Sequence, residues 1–503
     1  MALKGFRRNF KPLQILTEEE VEAIHRGTLE VLWVTGVRVE HKRALKLFEK
    51  NGCKVDYNEM RVRFPSGLVE ESLRRCPSSF VIKARNPRDN VVIGGDVTYF
   101  KNSCGMQITD LDTWEPRVAT RKENYDGVTV LDDLGSLHIL GPFTPYFGFE
   151  GVPPAMAMPE SCASKIRNST KVQIEGFSNA SEIFQIEMAK AVGAEILQQV
   201  LASPPMTWYK DAIEALFRAV EAGFPVAVES GPTLGGTAPV TLAGAMITNN
   251  AELISAIVLA QIIKPGTRVV ADDFVFPMNM KSGAPAFGAI GSSLHQVAFN
   301  QIWRGYGIPV YNVTSGYLSS KSVDFQAGYE KAIQGILSGV SGANIIGLHG
   351  SVSSAITFHP IQAILDDDLA GMIGRFVQGI EINDETLAID LIEEVGPIPG
   401  HFLNKEHTRK WWKLEQFVPQ VADRLTYPEW MKTGKKSCLD YAKERMKEIL
   451  ATHKPISLTP SQEEDIEKIL EEARKYYKER GLMSEEEMAI YTESIKSPNY
   501  PCE

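Results

Sequence analysis

What the 503-residue chain has little of narrows its chemistry first. It holds six cysteines, Cys53, Cys76, Cys104, Cys162, Cys438 and Cys502, with no CxxC pair and long, irregular gaps. That spacing excludes a ribbon or treble-clef zinc site and argues against a disulfide framework. There is no HExxH, and His401 and His407 do not stand at the i, i+4 spacing of two ligands on one helical face. No GxSxG elbow is present for Ser/His/Asp hydrolysis. Gly231-Pro-Thr-Leu-Gly-Gly236 lacks the spacing and the Lys of a phosphate loop and reads as a turn. A cationic excess is missing too: 53 Lys plus Arg against 63 Asp plus Glu leave a formal charge of −10, with no sustained basic face for nucleic acid. The N-terminus has no apolar h-region, and the longest apolar run, Ile254–Ile263, is too short to span a bilayer. These absences predict a soluble cytoplasmic protein with no nucleic-acid or membrane partner and no tightly bound metal.

What is present is ordinary globular composition, 44% hydrophobic and 23% charged. Residues 17–52 read as helical from a Thr17–Glu20 capping box. Short β-rich pieces follow to about residue 113 and include Thr98–Phe100. From about Leu137, apolar strand-length runs alternate with amphipathic helical segments. The runs are His138–Phe143, Lys171–Gly176, Pro205–Trp208, Pro225–Glu229, Arg268–Asp272, Pro309–Asn312 and Ala343–Leu348. Strands without alternation are buried on both faces, as in parallel sheets. The expectation is an α/β fold: a (β/α)8 TIM barrel over 136–410, a small α+β N-terminal module over 1–135, and a C-terminal helical extension over 411–503. A doubly wound open sheet is the alternative, but no nucleotide fingerprint follows an early strand.

In such a barrel, chemistry belongs at the C-terminal rim of the strands. The predicted rim is rich in aromatics and poor in cations. Phe143, Trp208, Tyr209 and Phe276 are candidates for a cage around an organic cation, each contributing roughly 0.5–2 kcal/mol when desolvated. Glu175 and Glu229 are candidates to add field for that cation, or to pair with barrel arginines instead. His349, between Gly347-Leu348 and Gly350-Ser351, is a candidate anion anchor with Ser351 beside it; a core histidine is the competing role.

Several strings in order resemble the trimethylamine methyltransferase superfamily of corrinoid-dependent enzymes. They are Thr237-Ala-Pro-Val-Thr-Leu-Ala-Gly244, Asn250-Ala-Glu252, Ser320-Lys-Ser-Val-Asp324 running into Phe325-Gln-Ala-Gly-Tyr-Glu-Lys331, Gly342-Ala-Asn344, Asp366-Asp-Asp368, Val395-Gly396 and Gly400-His-Phe-Leu403 with His407-Thr408. The resemblance implies a TIM barrel that passes a methyl group from an amine to the Co(I) corrinoid of a separate protein docked over the mouth. It also implies a homo-oligomer. The trimethylamine enzymes carry pyrrolysine near the segment aligned with Gly347–Ser354, where this chain has ordinary residues. That difference places it with the members acting on quaternary amines such as glycine betaine. A quaternary nitrogen leaves as a neutral tertiary amine, so no proton donor is required. Proline betaine, carnitine, another methylated compound, or mere binding of a quaternary amine without catalysis are the other readings.

Overall fold

The computed structural model describes residues 4–142, 148–497 and 500–501. Eight parallel strands close on themselves: Val97–Asn102 (β1), Ile139–Leu140 (β2), Val172–Glu175 (β3), Ile196–Leu201 (β4), Val226–Ser230 (β5), Val269–Asp273 (β6), Val310–Asn312 (β7) and Ile345–His349 (β8), with β8 pairing back onto β1. The helices that follow each strand are Arg121–Asp133 (α1), Ala157–Asn168 (α2), Glu182–Ala191 (α3), Lys210–Ala222 (α4), Leu242–Ile263 (α5), Ile290–Gly305 (α6), Phe325–Ser341 (α7) and Pro360–Val377 (α8). This is the (β/α)8 barrel that the alternation predicts.

Two strands differ from the expected set. The first is Val97–Asn102, inside the stretch read as N-terminal module, so the barrel begins upstream of residue 136. The fourth is Ile196–Leu201, whereas Thr207–Trp208 lies outside the wall and pairs with Arg38–Val39 in a small separate sheet. Both missed strands carry buried polar residues, Lys101 and Asn102 in one and Gln198 and Gln199 in the other, so neither reads as a continuous apolar run.

The expected helix over 17–52 is two helices, Glu18–Val34 and Lys42–Lys50, around a strand at Val37–Val39. Thr17 and Glu20 form the expected capping box. Gly36 breaks the helix at φ +73°, a conformation that favours glycine, and a Cβ there would overlap the Val62 carbonyl. Further on, Ser79–Ile82 and Val91–Gly94 form a hairpin at the starts of the barrel strands, where Arg268 Nη1 donates to the Val81 carbonyl at 2.8 Å. Its Phe80, Ile82, Val91 and Ile93 share a core cluster with the inward-facing Tyr99, Ile174, Leu197 and Val270. The N-terminal end of the barrel is thereby plugged with apolar side chains.

α5 is longer than the apolar run read from sequence. Its 22 residues are apolar enough to cross a membrane by length and composition, but 78% of that window is buried inside the fold. A helix apolar all round is the signature of a core element. Glu252 on α5 accepts from the Met206 amide at 2.5 Å and from the Ser230 hydroxyl, which fixes the loop after β4 and the end of β5.

The helices Cys438–Thr452 and Pro460–Glu479 lie on the barrel, the first against α1 and α8, the second against α2 and α3. Between α8 and these, residues 378–420 include no buried residue, although the helices Asp384–Leu387, Ile389–Val395 and Glu406–Gln416 fall there.

Burial pushes the Glu252 carboxyl up to about 7. A carboxyl raised in the native state binds protons that the unfolded chain releases at its ordinary value, so it lowers stability as pH climbs through that interval. Glu252→Gln is expected to flatten the decline in unfolding free energy between about pH 4.5 and 7. Denaturant titrations across that range check this, and an unchanged slope in the variant would refute it.

Candidate active site

Side chains two residues apart on a strand share a face. The apolar layer at Tyr99, Leu197, Ala227 and Val270 is therefore followed, toward the C-terminal end, by Lys101, Gln199, Glu229 and Asp272 on the same inward face, with Tyr311 from β7 beside them. All five are buried.

Glu229 and Asp272 hydrogen-bond to each other, and the Gln199 amide donates to both, to Asp272 Oδ2 at 3.2 Å. Burial raises the pKa of each above its ordinary value; for Asp272 the charge of Glu229 pushes it higher still. Two buried carboxyls in contact do not both ionise readily, which favours a proton shared between them. Lys101 Nζ lies 3.8 Å from Cys104 Sγ and 5.5 Å from the centroid of the Tyr311 ring. Among the described residues no carboxylate oxygen comes within 4.0 Å of it, yet its charge opposes the upward shift of both acids. Among the described residues, Tyr311 Oη and Asp272 Oδ1 are buried without a hydrogen-bond donor or acceptor assigned to them. Such orphaned atoms are rare in native proteins and call for an explanation, a ligand among them.

Beyond the ends of β6 and β7 stand four rings, Phe274, Phe276, Phe287 and Tyr317, with centroids 4.6–6.1 Å apart. Phe276, Phe287 and Tyr317 share a core cluster with Tyr311. Together the two groups form an aromatic and acidic region with one ammonium inside it.

Of the residues singled out from sequence, the structure brings Glu229 and Phe276 to this region. Trp208 is not at the mouth: it is buried against α5, its indole N–H donating to Ser255 Oγ at 3.0 Å and to the Glu252 carbonyl at 3.2 Å. It belongs to the loop after β4, not to the end of a barrel strand. Tyr209 starts α4 and is 53% exposed. Glu175 lies between the wall and the helices, ion-paired with Lys165 of α2, so the pairing alternative holds with a lysine in place of an arginine. His349 is on the outer face as well. β8 is irregular between Gly347 and His349, and the ring sits 6.1 Å from Phe100 with Nε2 3.3 Å from Asp367 Oδ1 of α8. Ser351 is in a short hairpin with Thr357–Phe358 and donates to the Ser354 carbonyl. Phe143 lies outside the described residues. His401 and His407 are away from the barrel interior, in the stretch without buried residues.

The sequence reading passed over Lys101 because its strand, read as Thr98–Phe100, was assigned to the N-terminal module, and Gln199 because its strand was not recognised. Asp272 and Tyr311 were at predicted strand ends but had no feature in the linear sequence to separate them from structural residues. Periodicity carried the available signal: Tyr99–Lys101 and Leu197–Gln199 repeat the apolar-then-polar step of Ala227–Glu229 and Val270–Asp272.

The model of the family described as trimethylamine methyltransferase (MTTB) matches residues 1–476. The chain belongs to the trimethylamine methyltransferase family. It is therefore a methyltransferase. A glycine betaine methyltransferase from Desulfitobacterium hafniense strain Y51 is 33% identical over 460 residues, 89% of this chain and 94% of that one. A trimethylamine methyltransferase from strain DSM 10664 / DCB-2 of the same species is 31% identical over 478 residues, 92% and 94% of the two chains. Among solved structures, the Methanosarcina barkeri monomethylamine methyltransferase covers 92% of this chain and 93% of its own at 13% identity, with a TM-score of 0.47.

Several strings that carry the trimethylamine methyltransferase resemblance have structural tasks here. Asp324 caps α7, accepting from the Ala327 amide at 2.9 Å. Asp366 accepts from Lys331 Nζ at 2.6 Å and the Gly350 amide at 2.7 Å, Asp367 from the Ser136 amide at 2.9 Å, and Asp368 from the Gln420 and Val421 amides at 2.6 and 2.8 Å. They tie helices to strand ends and do not reach the barrel interior.

His349→Ala is expected to lower the melting temperature and leave the KM for the methyl donor within about twofold, since the ring contacts the outer layer. Thermal unfolding together with steady-state kinetics checks this; a KM raised tenfold or more without a loss of stability would return His349 to the binding site.

Proposed function

We propose that the chain takes a methyl group from a quaternary amine, with glycine betaine or a related betaine as donor, and delivers it to the reduced corrinoid of a partner protein, releasing the tertiary amine. The observation that carries this reading is the buried, mutually bonded Glu229–Asp272 pair inside the barrel, beside the ring cluster of Phe274, Phe276, Phe287 and Tyr317. A buried acidic pair and neighbouring π systems attract an onium ion without needing a hydrogen-bond donor on it. Within the family, the relative named for glycine betaine is consistent with that preference.

A reduced corrinoid supplies a nucleophile strong enough to take a methyl group by in-line displacement. The interior described here fits a reaction partner that approaches from the open end, because the barrel's other end is plugged by the Phe80–Ile93 hairpin. The chain's own residues then have three tasks: to hold the cation, to orient it, and to keep water from the reacting carbon. The donor's positive charge disappears as its methyl group leaves. An environment bearing two full carboxylate charges would stabilise the substrate more than the transition state and slow the reaction. The proton shared by Glu229 and Asp272 limits that penalty.

A homo-oligomer is part of the proposal. Short helices are marginal in isolation, and residues 378–420 contain three with no buried residue. Ile398 at 96% and Leu403 at 81% are exposed there. This stretch leaves from the end of α8, next to the N-terminal strand pair Phe6–Thr98 and away from the mouth, which leaves the mouth open to the corrinoid protein.

The assay is to mix the protein with Co(I)-cobalamin or its corrinoid protein and a panel of amines, following consumption of Co(I) by visible absorbance. Glycine betaine or another betaine is expected to be demethylated, and trimethylamine and dimethylglycine not. Saturable betaine binding with no turnover on any corrinoid would replace this reading with a binding protein. For the assembly, Leu403→Asp is expected to reduce the mass measured by light scattering after size exclusion; a wild-type monomer at micromolar concentration would refute the oligomer.

A further inference from the structure

Lys101 is the one cation in the acidic interior among the described residues, and it is fully buried. An ammonium offers three donors. Among the described residues its only hydrogen-bond contact is a thiol sulfur, Cys104 Sγ at 3.8 Å, a weak acceptor. The two acids on the same inward-facing layer are already bonded to each other and to Gln199, and neither comes within ion-pair distance of it. Its stem runs across Gly141, where a Cβ would overlap Lys101 Cε and Nζ, so the side chain is held in place by the wall of β2. Tyr311, whose ring lies 5.5 Å from Nζ, presents a buried hydroxyl that has no partner among the described residues. Two buried donors, one with only a thiol sulfur and one with no acceptor among the described residues, therefore stand beside acids bonded to each other and to Gln199. A buried charge left in that state is expensive unless an anion completes it.

We infer that Lys101, with the Tyr311 hydroxyl, holds the carboxylate of a zwitterionic substrate whose quaternary nitrogen lies toward Glu229 and Asp272. Lys101 is then the residue by which the site tells an ammonium carboxylate from a quaternary amine lacking the acid. This rests on the methyl-transfer reading above and narrows its substrate class. Without Lys101, the Glu229–Asp272 charge would repel the very carboxylate that such a donor carries. The carboxylate keeps its charge throughout methyl transfer, whereas the ammonium loses its own. A contact equal in the ground state and the transition state acts on KM and not on kcat. Lys101 is thus a specificity-determining residue, not a proton donor.

The test is calorimetric and needs no corrinoid. Wild-type protein is titrated with glycine betaine, with its methyl ester and with choline, which share the trimethylammonium group but lack the negative charge. Glycine betaine is expected to bind at least about 30-fold more tightly than either. Lys101→Met is expected to remove that preference, with its loss of activity on betaine appearing in KM. Equal wild-type affinity for betaine and its ester overturns the inference, and does so even if the variant does not fold. A folded Lys101→Met protein that still prefers betaine overturns it as well. Should betaine binding depend on Lys101 while no betaine is demethylated on any corrinoid, the anchor stands and the methyl-transfer reading fails.

Discussion

Keeping charge inside a closed parallel barrel is the constraint around which this structure is arranged. Lys101, Glu229 and Asp272 project inward from three of the eight strands at a depth where water does not compensate them. Desolvation of this kind shifts protonation before it ionises groups freely, and both acids respond by retaining a shared proton. A plug of apolar side chains lies beneath the layer and the ring cluster above it. Polar residues in that layer also mark the wall itself: in β1 and β4 two adjacent polar residues, Lys101–Asn102 and Gln198–Gln199, interrupt the apolar run.

A second set of charges lies outside the wall, between strands and helices. Lys165–Glu175, Lys331–Asp366, His295–Asp273 and His349–Asp367 each join a barrel helix to a strand end or to a neighbouring helix. Buried pairs contribute little net stability because desolvation offsets their attraction, but breaking one leaves an uncompensated charge. Their consequence is geometric: they fix the ends of β3, β6 and β8, and so hold the inward-facing residues on those strands and their neighbours. The family strings containing Asp324, Glu252 and Asp366–Asp368 belong to this outer framework, which explains why they identify the family while lying away from the proposed chemistry.

The proposed reaction puts two unequal demands on the interior. The nitrogen of a quaternary donor must be attracted but not over-stabilised, because its charge is consumed. A carboxylate on the same molecule must be held by something that does not change. An acid pair that shares a proton suits the first demand, and a fixed ammonium suits the second. The opposite charges stand on separate strands, beyond ion-pair distance of one another, which suits a ligand carrying both signs of charge.

The alternation of apolar runs with amphipathic helices was sufficient to read a (β/α)8 barrel, and ordered short strings were sufficient to read the family. Those signals are carried by local periodicity and by neighbouring residues in the chain. Glu229 and Phe276 were legible as candidates because each follows a recognisable apolar run. Trp208, Glu175 and His349 were equally prominent in the sequence, yet only tertiary pairing decides that the first packs on α5 and that the other two face the outer layer. For His349 the deciding feature is a backbone irregularity in β8, which no side-chain pattern announces. Lys101, Gln199, Asp272 and Tyr311 come from strands 1, 4, 6 and 7 of the barrel. Their meeting is a product of barrel closure, and a linear chain carries no mark of which distant inward positions closure will bring together.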